Sequence, residues 1–180
     1  MPLRFQRCFA ILALLLLPGM TLLMAPLPSV RGATGTAPAR EPVRIVILKS
    51  QRTLTLLRGS VVVKTYKVAL GTNPVGAKTQ QGDYKTPEGE YIVDFKVPNS
   101  MFYKALHISY PNAADRARAH ALGVNPGGAV EIHGLGKKYG WVGAAHRLHD
   151  WTFGCIALTN EEIDELYAAV PVGTRVTIEP

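Results

Sequence analysis

Alternation of hydrophobic and polar residues predicts that most of the chain after residue 42 is β-structure. Three β-rich runs separated by short turns form a predicted meander, and two more runs follow a polar loop over residues 71–82 and a turn over residues 83–89. The five predicted strands are residues 43–48, 53–57, 61–70, 90–97 and 105–110.

The second half of the chain adds two predicted helices and two short strands. Residues 113–122 are rich in alanine and arginine, and Gly123 ends this helix. The next helix is predicted to begin near Thr159 or Asn160, where residues 159–162 fit a capping box. Residues 130–133 and 175–178 are the predicted strands. The fold class expected is therefore mostly β with a few short helices.

The first 40 residues have a different composition. Arg4 and Arg7 precede an apolar run over residues 9–24 that carries no charge, which is typical of an export signal. Pro18 and Gly19 interrupt this run and weaken the alternative of a membrane-spanning helix. We predict that residues 1–30 are a signal peptide or an N-terminal membrane anchor, with a cleaved signal favoured.

Both alternatives place the rest of the chain in the periplasm or cell envelope, and an anchor would associate it with the inner membrane. Residues 31–42 contain Gly and Pro among Ala and Thr and are predicted to be a flexible spacer. Residues 43–180 form the single predicted folded domain, since neither a repeat nor a second domain is evident.

The basic charge of the chain comes largely from its N-terminus. The net charge is +7, but residues 1–40 hold four of the 20 basic residues and no acidic ones. The remaining 16 basic and 13 acidic residues leave +3. These basic residues are scattered and accompany no nucleic-acid-binding motif, so no nucleic-acid partner is expected, and we expect a monomer.

The two cysteines lie in different parts of the chain and are expected to have different roles. Cys8 lies in the predicted leader, which leaves Cys155 alone in an exported domain where it has no internal disulfide partner. Cys155 is then a reactive thiol, an intermolecular bridge or a buried small apolar residue. A nucleophilic thiol needs a base or an electropositive site, because its ordinary pKa keeps it mostly protonated at neutral pH.

Histidine is the usual base, and His133 is the strongest candidate of the five. It ends a predicted strand beside Gly134, whereas His107 is expected to face the core and His120 to be exposed on a helix. Gly154 permits a sharp turn that could aim the Gly154 and Cys155 amides at an oxyanion. A side-chain hydrogen bond from Thr152 is expected to hold that turn.

These residues resemble the signature of the YkuD-type L,D-transpeptidase catalytic domain. The similarity includes His133-Gly134, then Thr152-Phe153-Gly154-Cys155-Ile156, and Asn160 five residues after the cysteine. It extends upstream to residues 69–71 and 82–91, and it covers about residues 43–178. The resemblance implies a catalytic domain with a YkuD-like, mostly β sandwich or barrel-type fold.

The resemblance also implies a reaction on peptidoglycan stem peptides. Cys155 would be the nucleophile, His133 the general base, the Gly134 carbonyl would orient His133, and the Gly154 and Cys155 amides would bind the oxyanion. The thiolate would attack the carbonyl of the third stem residue and release D-alanine. An acceptor amine would then resolve the thioester into a 3-3 crosslink or an attachment. Neither a metal nor an organic cofactor is implied.

The sequence departs from the family pattern at two positions. Phe153 stands where histidine is common and Ala157 where arginine is common, which removes two polar groups. We hypothesise that His149 or Asp150 supplies the missing polar contact and that Trp151 packs under the loop. The alternative is that Asp150 caps a turn and Trp151 belongs to the core.

Other candidates for substrate binding are Thr152 and Phe153 beside the cysteine, together with Tyr84 and Trp141. Aromatic side chains in loops often contact ligands. Lys85 or Arg147 could meet a carboxylate of the stem, although packing or solvation also explains each of these residues.

Three other functions stay open. Hydrolysis of the same thioester would make the protein an L,D-carboxypeptidase or an amidase. A zinc site could use His146 and His149 with Cys155 or His133, although the spacing is weak. A catalytically silent module that binds the cell wall is the third, and it requires an unreactive Cys155.

Overall fold

The computed structural model describes residues 41–180. The predicted signal or anchor, and residues 31–40 of the predicted spacer, lie outside the described residues. Eight strands are present: β1 Val43–Leu48, β2 Thr53–Arg58, β3 Val61–Lys67, β4 Gly89–Ser100, β5 Tyr103–Ile108, β6 Glu131–His133, β7 Ile156–Ala157 and β8 Arg175–Glu179. The helices are α1 Ala113–Ala121 and α2 Asn160–Ala169, and a 3-10 helical segment covers Gly140–Leu148.

The strands form one sheet in the order β3-β2-β1-β8-β4-β5-β6-β7. Neighbours are antiparallel except for the β1–β8 and β6–β7 pairs, which are parallel. The long strand β4 pairs with β8 through residues 89–92 and with β5 through residues 93–100, with register shifts along the second part. Because β4 belongs to both halves of the sheet and its pairing with β5 is interrupted by register shifts, the sheet curls. The predicted mostly β fold is confirmed.

The curled sheet encloses the hydrophobic core, and α2 covers part of it. Residues two apart on β1, Ile45 and Ile47, are fully buried, as the alternation in the sequence predicts. Ile163 and Leu166 of α2 are also fully buried and face the same core. Each such aliphatic side chain contributes roughly 1.5–3 kcal/mol by leaving water. This burial holds α2 against the sheet, directly after the cysteine stretch.

Both α-helices begin with capping boxes. Thr159 accepts a hydrogen bond from the Glu162 N–H while the Glu162 carboxylate accepts from the Thr159 N–H, which confirms the predicted start of α2. Asn112 and Asp115 make the same arrangement at α1. Within residues 41–180, neither helix has the length and apolar character that crossing a bilayer requires.

Several element boundaries differ from the prediction. The third predicted strand ends at Lys67, three residues early, because Val68 and Leu70 are buried in the core outside the regular ladder. Ala69 then pairs with Ala157 in an isolated bridge. The two-residue strand β7 and the 3-10 segment were not predicted, since both are too short or irregular to give a periodic pattern.

Candidate active site

A cavity of about 550 Å³ is lined by both Cys155 and His133. Its other walls come from the loop before β4, including Lys78 and Tyr84, and from residues 127–130 before β6. A volume of this size is within the range of small-molecule and peptide-fragment sites. The sequence stretch that supplies a thiol and a possible base thus contributes to one concave site.

The parallel pair β6–β7 brings the two residues together. Ile132 pairs with Ile156 and His133 with Ala157, so Cys155 precedes β7 while His133 ends β6. The Leu158 N–H donates to the His133 carbonyl at 2.9 Å and continues this pairing. Two adjacent strands therefore bring His133 and Cys155 together, although they are 22 residues apart in sequence.

The His133 side chain is held in one orientation. It is 1% exposed, its ring stacks on Phe102 at a centroid distance of 4.3 Å, and the edge-on ring of Trp151 lies at 5.8 Å. Its Nδ1 lies 2.7 Å from the Gly134 carbonyl oxygen. Because a carbonyl only accepts, Nδ1 carries the proton and Nε2 keeps its lone pair. Burial lowers the pKa of His133 to about 4, against the opposing effect of the Gly134 carbonyl.

The turn after His133 depends on glycine and on Asn160. A Cβ at Gly134 would lie 2.6 Å from the Asn160 Oδ1 and 2.9 Å from the Phe102 carbonyl oxygen, so only glycine fits. Asn160 accepts from the Leu135 N–H at 2.9 Å and donates to the Gly136 carbonyl at 3.3 Å. The first residue of α2 thereby fixes the carbonyl that orients His133.

Cys155 has a neutral thiol in this environment. Burial raises its pKa to about 11, the Glu131 N–H and the Lys78 cation lower it, and the Glu131 carboxylate raises it. The Glu131 N–H points to Sγ at 3.4 Å, and Sγ lies 3.7 Å from the Ala129 carbonyl oxygen. With His133 also neutral at pH 7, the resting pair is thiol and imidazole rather than thiolate and imidazolium.

The turn before Cys155 is closed by Thr152, as its side chain was expected to do. The Thr152 hydroxyl donates to the Cys155 carbonyl at 2.7 Å and accepts from the Gly154 N–H at 3.1 Å. Gly154 has a φ of +127°, and a Cβ there would lie 2.6 Å from the Lys85 carbonyl oxygen. An oxyanion role for Gly154 would require its N–H to leave Thr152. The Cys155 N–H has no acceptor within residues 41–180.

Lys78 is a cavity residue that the sequence did not reveal. Its side chain is 5% exposed, and Nζ donates to Asp83 Oδ1 at 2.8 Å and to the Gln80 carbonyl at 3.0 Å. Burial raises the pKa of Asp83, but hydrogen bonds from Lys78 and three backbone amides outweigh it and lower the pKa to about 2. A lysine in a polar loop gives no periodic signal. The one sequence feature that could have pointed to a buried Lys78 is an acidic partner, Asp83, five residues later in a glycine-containing turn.

Three of the predicted substrate-binding residues line the cavity: Tyr84, Thr152 and Phe153. Tyr84 is 45% and Phe153 78% exposed, and their rings meet edge to face at a centroid distance of 5.3 Å. Phe153 thus adds an aromatic wall where a histidine is common. Ala157 is fully buried in its bridge with Ala69 and offers no polar group to the cavity.

The other three, His149, Asp150 and Trp141, do not line this cavity, contrary to what a substrate-contacting position would require. Asp150 accepts from both the Arg52 guanidinium and the Leu70 N–H, so it ties the loop to the sheet. His149 is exposed outside the cavity. Trp141 is 84% exposed in the 3-10 segment, which turns its His146 inward instead. Trp151 packs beneath the loop as hypothesised, against Phe102 and His133.

The remaining basic and metal-ligating candidates have other partners. Arg147 pairs with Glu162, and Lys85 does not line the cavity. The prediction that His107 faces the core is wrong: its side chain is 14% exposed and bonds to Asp94 at 2.6 Å, on the side of β5 opposite the buried Leu106 and Ile108. His120 is exposed, as predicted. No group of three or more His, Cys, Asp and Glu residues within the part of the chain described here could hold a metal ion.

Comparison with known proteins shows what this chain is similar to. The chain is 35% identical to YafK of Escherichia coli (strain K12) over 135 residues, which cover 72% of this chain and 47% of YafK. It is 32% identical to YkuD of Bacillus licheniformis over 139 residues, covering 77% of this chain and 67% of that protein. The chain therefore spans about half the length of YafK.

Among solved structures, the helical cell shape determining protein Pgp2 from Campylobacter jejuni has a similar fold. It superposes with a TM-score of 0.58 at 25% sequence identity, covering 78% of this chain and 49% of Pgp2. The family described as YkuD, the L,D-transpeptidase catalytic domain, matches residues 42–178. This chain belongs to the YkuD family of L,D-transpeptidase catalytic domains.

Proposed function

We propose that the protein is a peptidoglycan L,D-transpeptidase that uses Cys155 as nucleophile and His133 as general base. The observation that carries the proposal is that both residues line one cavity, with His133 Nδ1 bonded to the Gly134 carbonyl. This bond leaves Nε2 free to take a proton. Membership of the L,D-transpeptidase family supports stem peptides as the substrate class.

The first step is acylation of the cysteine. The Cys155 thiol gives its proton to His133 Nε2 as sulfur attacks the carbonyl carbon of the third stem residue. The carbonyl oxygen becomes an oxyanion, the C–N bond to D-alanine breaks, and His133 returns the proton to the departing amine. A thioester remains on Cys155. Because thiol and imidazole are both neutral at rest, the proton moves during attack rather than beforehand.

The Cys155 N–H is the proposed oxyanion donor. It is free of other acceptors in the described chain, while the Gly154 N–H is engaged by Thr152. Thr152 also bonds the Cys155 carbonyl and so fixes the peptide on both sides of Gly154. In this proposal Gly154 shapes the turn, and its own amide joins the oxyanion site only if Thr152 releases it.

Lys78 is proposed to bind the carboxylate of the departing D-alanine. An ammonium group has three donors, and two of those of Lys78 already serve Asp83 and Gln80. The third remains for a ligand in the cavity that Lys78 lines. A buried cation at this place would require that the leaving residue be the C-terminal one, as it is in a tetrapeptide stem.

An acceptor amine is proposed to resolve the thioester. It attacks the thioester carbonyl, gives a proton to His133 and leaves a new amide, while sulfur recovers its proton. The alternative is water as acceptor, which makes the protein an L,D-carboxypeptidase or amidase. Phe153 and Ala157 keep this alternative open, because neither supplies a polar side-chain group to the cavity.

The predicted leader and this substrate class both support a proposed location in the cell envelope. Peptidoglycan lies outside the cytoplasmic membrane, and residues 4–24 have the composition of an export signal. Stem peptides are then the proposed binding partners, and a retained leader would add an association with the inner membrane.

Release of D-alanine from a purified disaccharide-tetrapeptide tests the proposal. We expect release by the wild-type protein and none by Cys155→Ala or His133→Gln, with all three folded by circular dichroism. Product mass then separates a crosslinked dimer from a trimmed tripeptide. Release that continues in Cys155→Ala would rule out the cysteine mechanism.

A further inference from the structure

Glu131 is a charged residue beside the cysteine that the reaction proposed above does not use. It opens β6, and its N–H points to Cys155 Sγ at 3.4 Å. Side chains alternate along a strand, and Ile132 is fully buried in the core, so Glu131 and His133 face the opposite side of the sheet. The same alternation on β7, where Ile156 is fully buried, puts Cys155 on that side too. The Glu131 side chain therefore leaves the sheet on the catalytic side, next to the thiol.

The Glu131 carboxylate makes no ion pair with any residue of the range 41–180. Its cross-strand neighbour His107 is engaged elsewhere, since it bonds to Asp94 at 2.6 Å and stacks on Phe95 at a centroid distance of 4.1 Å. Glu131 is half-buried, and burial raises its pKa above the ordinary value, although His107 opposes this. A cationic ligand would stabilise a partly desolvated carboxylate of this kind.

Glu131 also opposes the first step of the reaction. Burial raises the pKa of Cys155, and the negative charge of Glu131 raises it further, which disfavours a thiolate. Glutamine has the same size and would avoid this penalty. Because the carboxylate hinders acylation and makes no ion pair that would explain it, we assign it to the second step, in which the acceptor enters.

The two charges that act on Cys155 come from opposite sides of β7. Strand β6, which carries Glu131, pairs along one side, and Ala69 bridges to Ala157 on the other. Lys78 belongs to the loop that follows Ala69, and its Cδ lies 4.0 Å from where a Cβ on residue 154 would be. A leaving carboxylate at Lys78 and an entering cation at Glu131 would thus occupy different places.

We propose that Glu131 binds the protonated amine of the acceptor and takes a proton from it before the thioester is attacked. The ligand class is a primary ammonium, and Glu131 pairs with it on the β6 side of the sulfur. This inference rests on the proposed function and makes transfer to an amine, rather than hydrolysis, the second step.

The proton must leave first because an ammonium nitrogen has no lone pair for attack. The ammonium gives one proton to the Glu131 carboxylate, and the neutral amine attacks the thioester carbonyl carbon. The carbon–sulfur bond breaks, and a second proton passes from nitrogen through His133 to the sulfur. An amide and the Cys155 thiol result, and Glu131 releases its proton to water. Partial burial disfavours the charged form of both partners, so it assists the first transfer.

Partition of the thioester between water and two amines tests the inference. The protein is mixed with a disaccharide-tetrapeptide and either ethanolamine, which is protonated at pH 7, or hydroxylamine, which is mostly neutral and needs no base. Product masses give the ratio of aminolysis to hydrolysis. We expect Glu131→Gln to lower this ratio about tenfold for ethanolamine, the effect of losing one charge-assisted contact, and to change it little for hydroxylamine. Asp94→Asn is the matched control, because it removes a carboxylate that pairs with His107 instead, and both ratios should stay unchanged.

An equal fall in both ratios, or an unchanged ratio for ethanolamine, would overturn the inference. If Glu131→Gln does not fold, Glu131→Asp decides, since a carboxylate one carbon shorter should lower the ethanolamine ratio alone. D-alanine release measures acylation by itself and reports separately on the proposed function. If the stem peptide does not acylate the protein, Cys155 is acetylated by exchange with S-phenyl thioacetate and the same ratios are measured. Failure of the stem peptide then counts against the proposed function, and the ratios still decide the role of Glu131.

Discussion

At the residue scale, the chemistry depends on a thiol and an imidazole that are both neutral at rest. Burial drives the pKa of Cys155 to about 11 and that of His133 to about 4, in opposite directions. A preformed thiolate–imidazolium pair would need the reverse order of pKa values. The site therefore holds an unactivated thiol until a substrate carbonyl is present to be attacked.

The pH dependence of alkylation distinguishes these two states. We expect the rate at which iodoacetamide modifies Cys155 to rise continuously between pH 6 and about pH 10, because the thiolate fraction grows until the pH reaches the thiol pKa. Stopped alkylation followed by intact mass gives the rates. A plateau that begins near pH 5 would instead indicate an ion pair and contradict the neutral resting state.

Lys78 is the residue whose charge is expected to select the substrate. Lys78→Met should raise KM for a tetrapeptide by about tenfold or more, since a charge-assisted hydrogen bond contributes roughly 1.5–3 kcal/mol. The same variant should change KM little for a tetrapeptide with a C-terminal amide. Lys85→Met is the matched control, because Lys85 lies on the same loop but does not line the cavity. Equal losses on the acid and the amide would exclude carboxylate recognition.

At the element scale, the site depends on short irregular segments that the sheet and α2 hold in place. Residues 152–155 form a turn closed by the Thr152 hydroxyl, and the turn after His133 is closed by Asn160 at the start of α2. Neither turn has a regular ladder of its own. The capped helix and the β6–β7 pair therefore supply the order that the turns lack.

Thr152→Val tests the turn directly. Valine keeps the shape of threonine but removes the bonds to the Gly154 N–H and the Cys155 carbonyl, so we expect kcat to fall at least tenfold and the free energy of unfolding to fall by about 1–2 kcal/mol. Thr152→Ser keeps the hydroxyl and should retain most of both. Equal kcat values for the two variants would show that the hydroxyl does not position Cys155.

At the scale of the whole molecule, two buried neutral histidines make stability depend on pH. His133 and His146 have pKa values of about 4 when folded, below the ordinary value of 6.5, so the unfolded chain binds more protons between these limits. The free energy of unfolding is then complete above pH 6.5 and falls as the pH drops towards 4, by roughly 2–3 kcal/mol for each histidine.

Urea unfolding at pH 7 and at pH 4.5 measures this loss. We expect His146→Leu to lose less stability between the two pH values than the wild-type protein does. His120→Gln should match the wild type, because His120 is exposed on α1. Asp83 does not contribute in this range, since its pKa is lowered from 3.8 to about 2 and its effect comes only below pH 4. Identical losses in the wild type and His146→Leu would contradict the account of His146.

Local patterns determined how much of this molecule could be predicted. The strands, the capping box of α2, Cys155 and His133 follow from periodicity and from chemistry within one stretch. Lys78 lines the same cavity as Cys155, which is 77 residues away in sequence, and Asp150 bonds to Arg52, 98 residues away. No local pattern encodes either relation. Trp141 was wrongly placed in the cleft because exposure and proximity to the site cannot be separated in sequence.

The central claim is that Cys155 carries the acyl group, and intact mass tests it most directly. The domain from residue 41 would be mixed with a disaccharide-tetrapeptide and quenched in acid within seconds. The account predicts an adduct with the mass of the substrate less D-alanine, located on Cys155 by peptide mapping and absent in Cys155→Ala. D-alanine release with no adduct in the wild type under fast quenching, or an adduct on another residue, would contradict it.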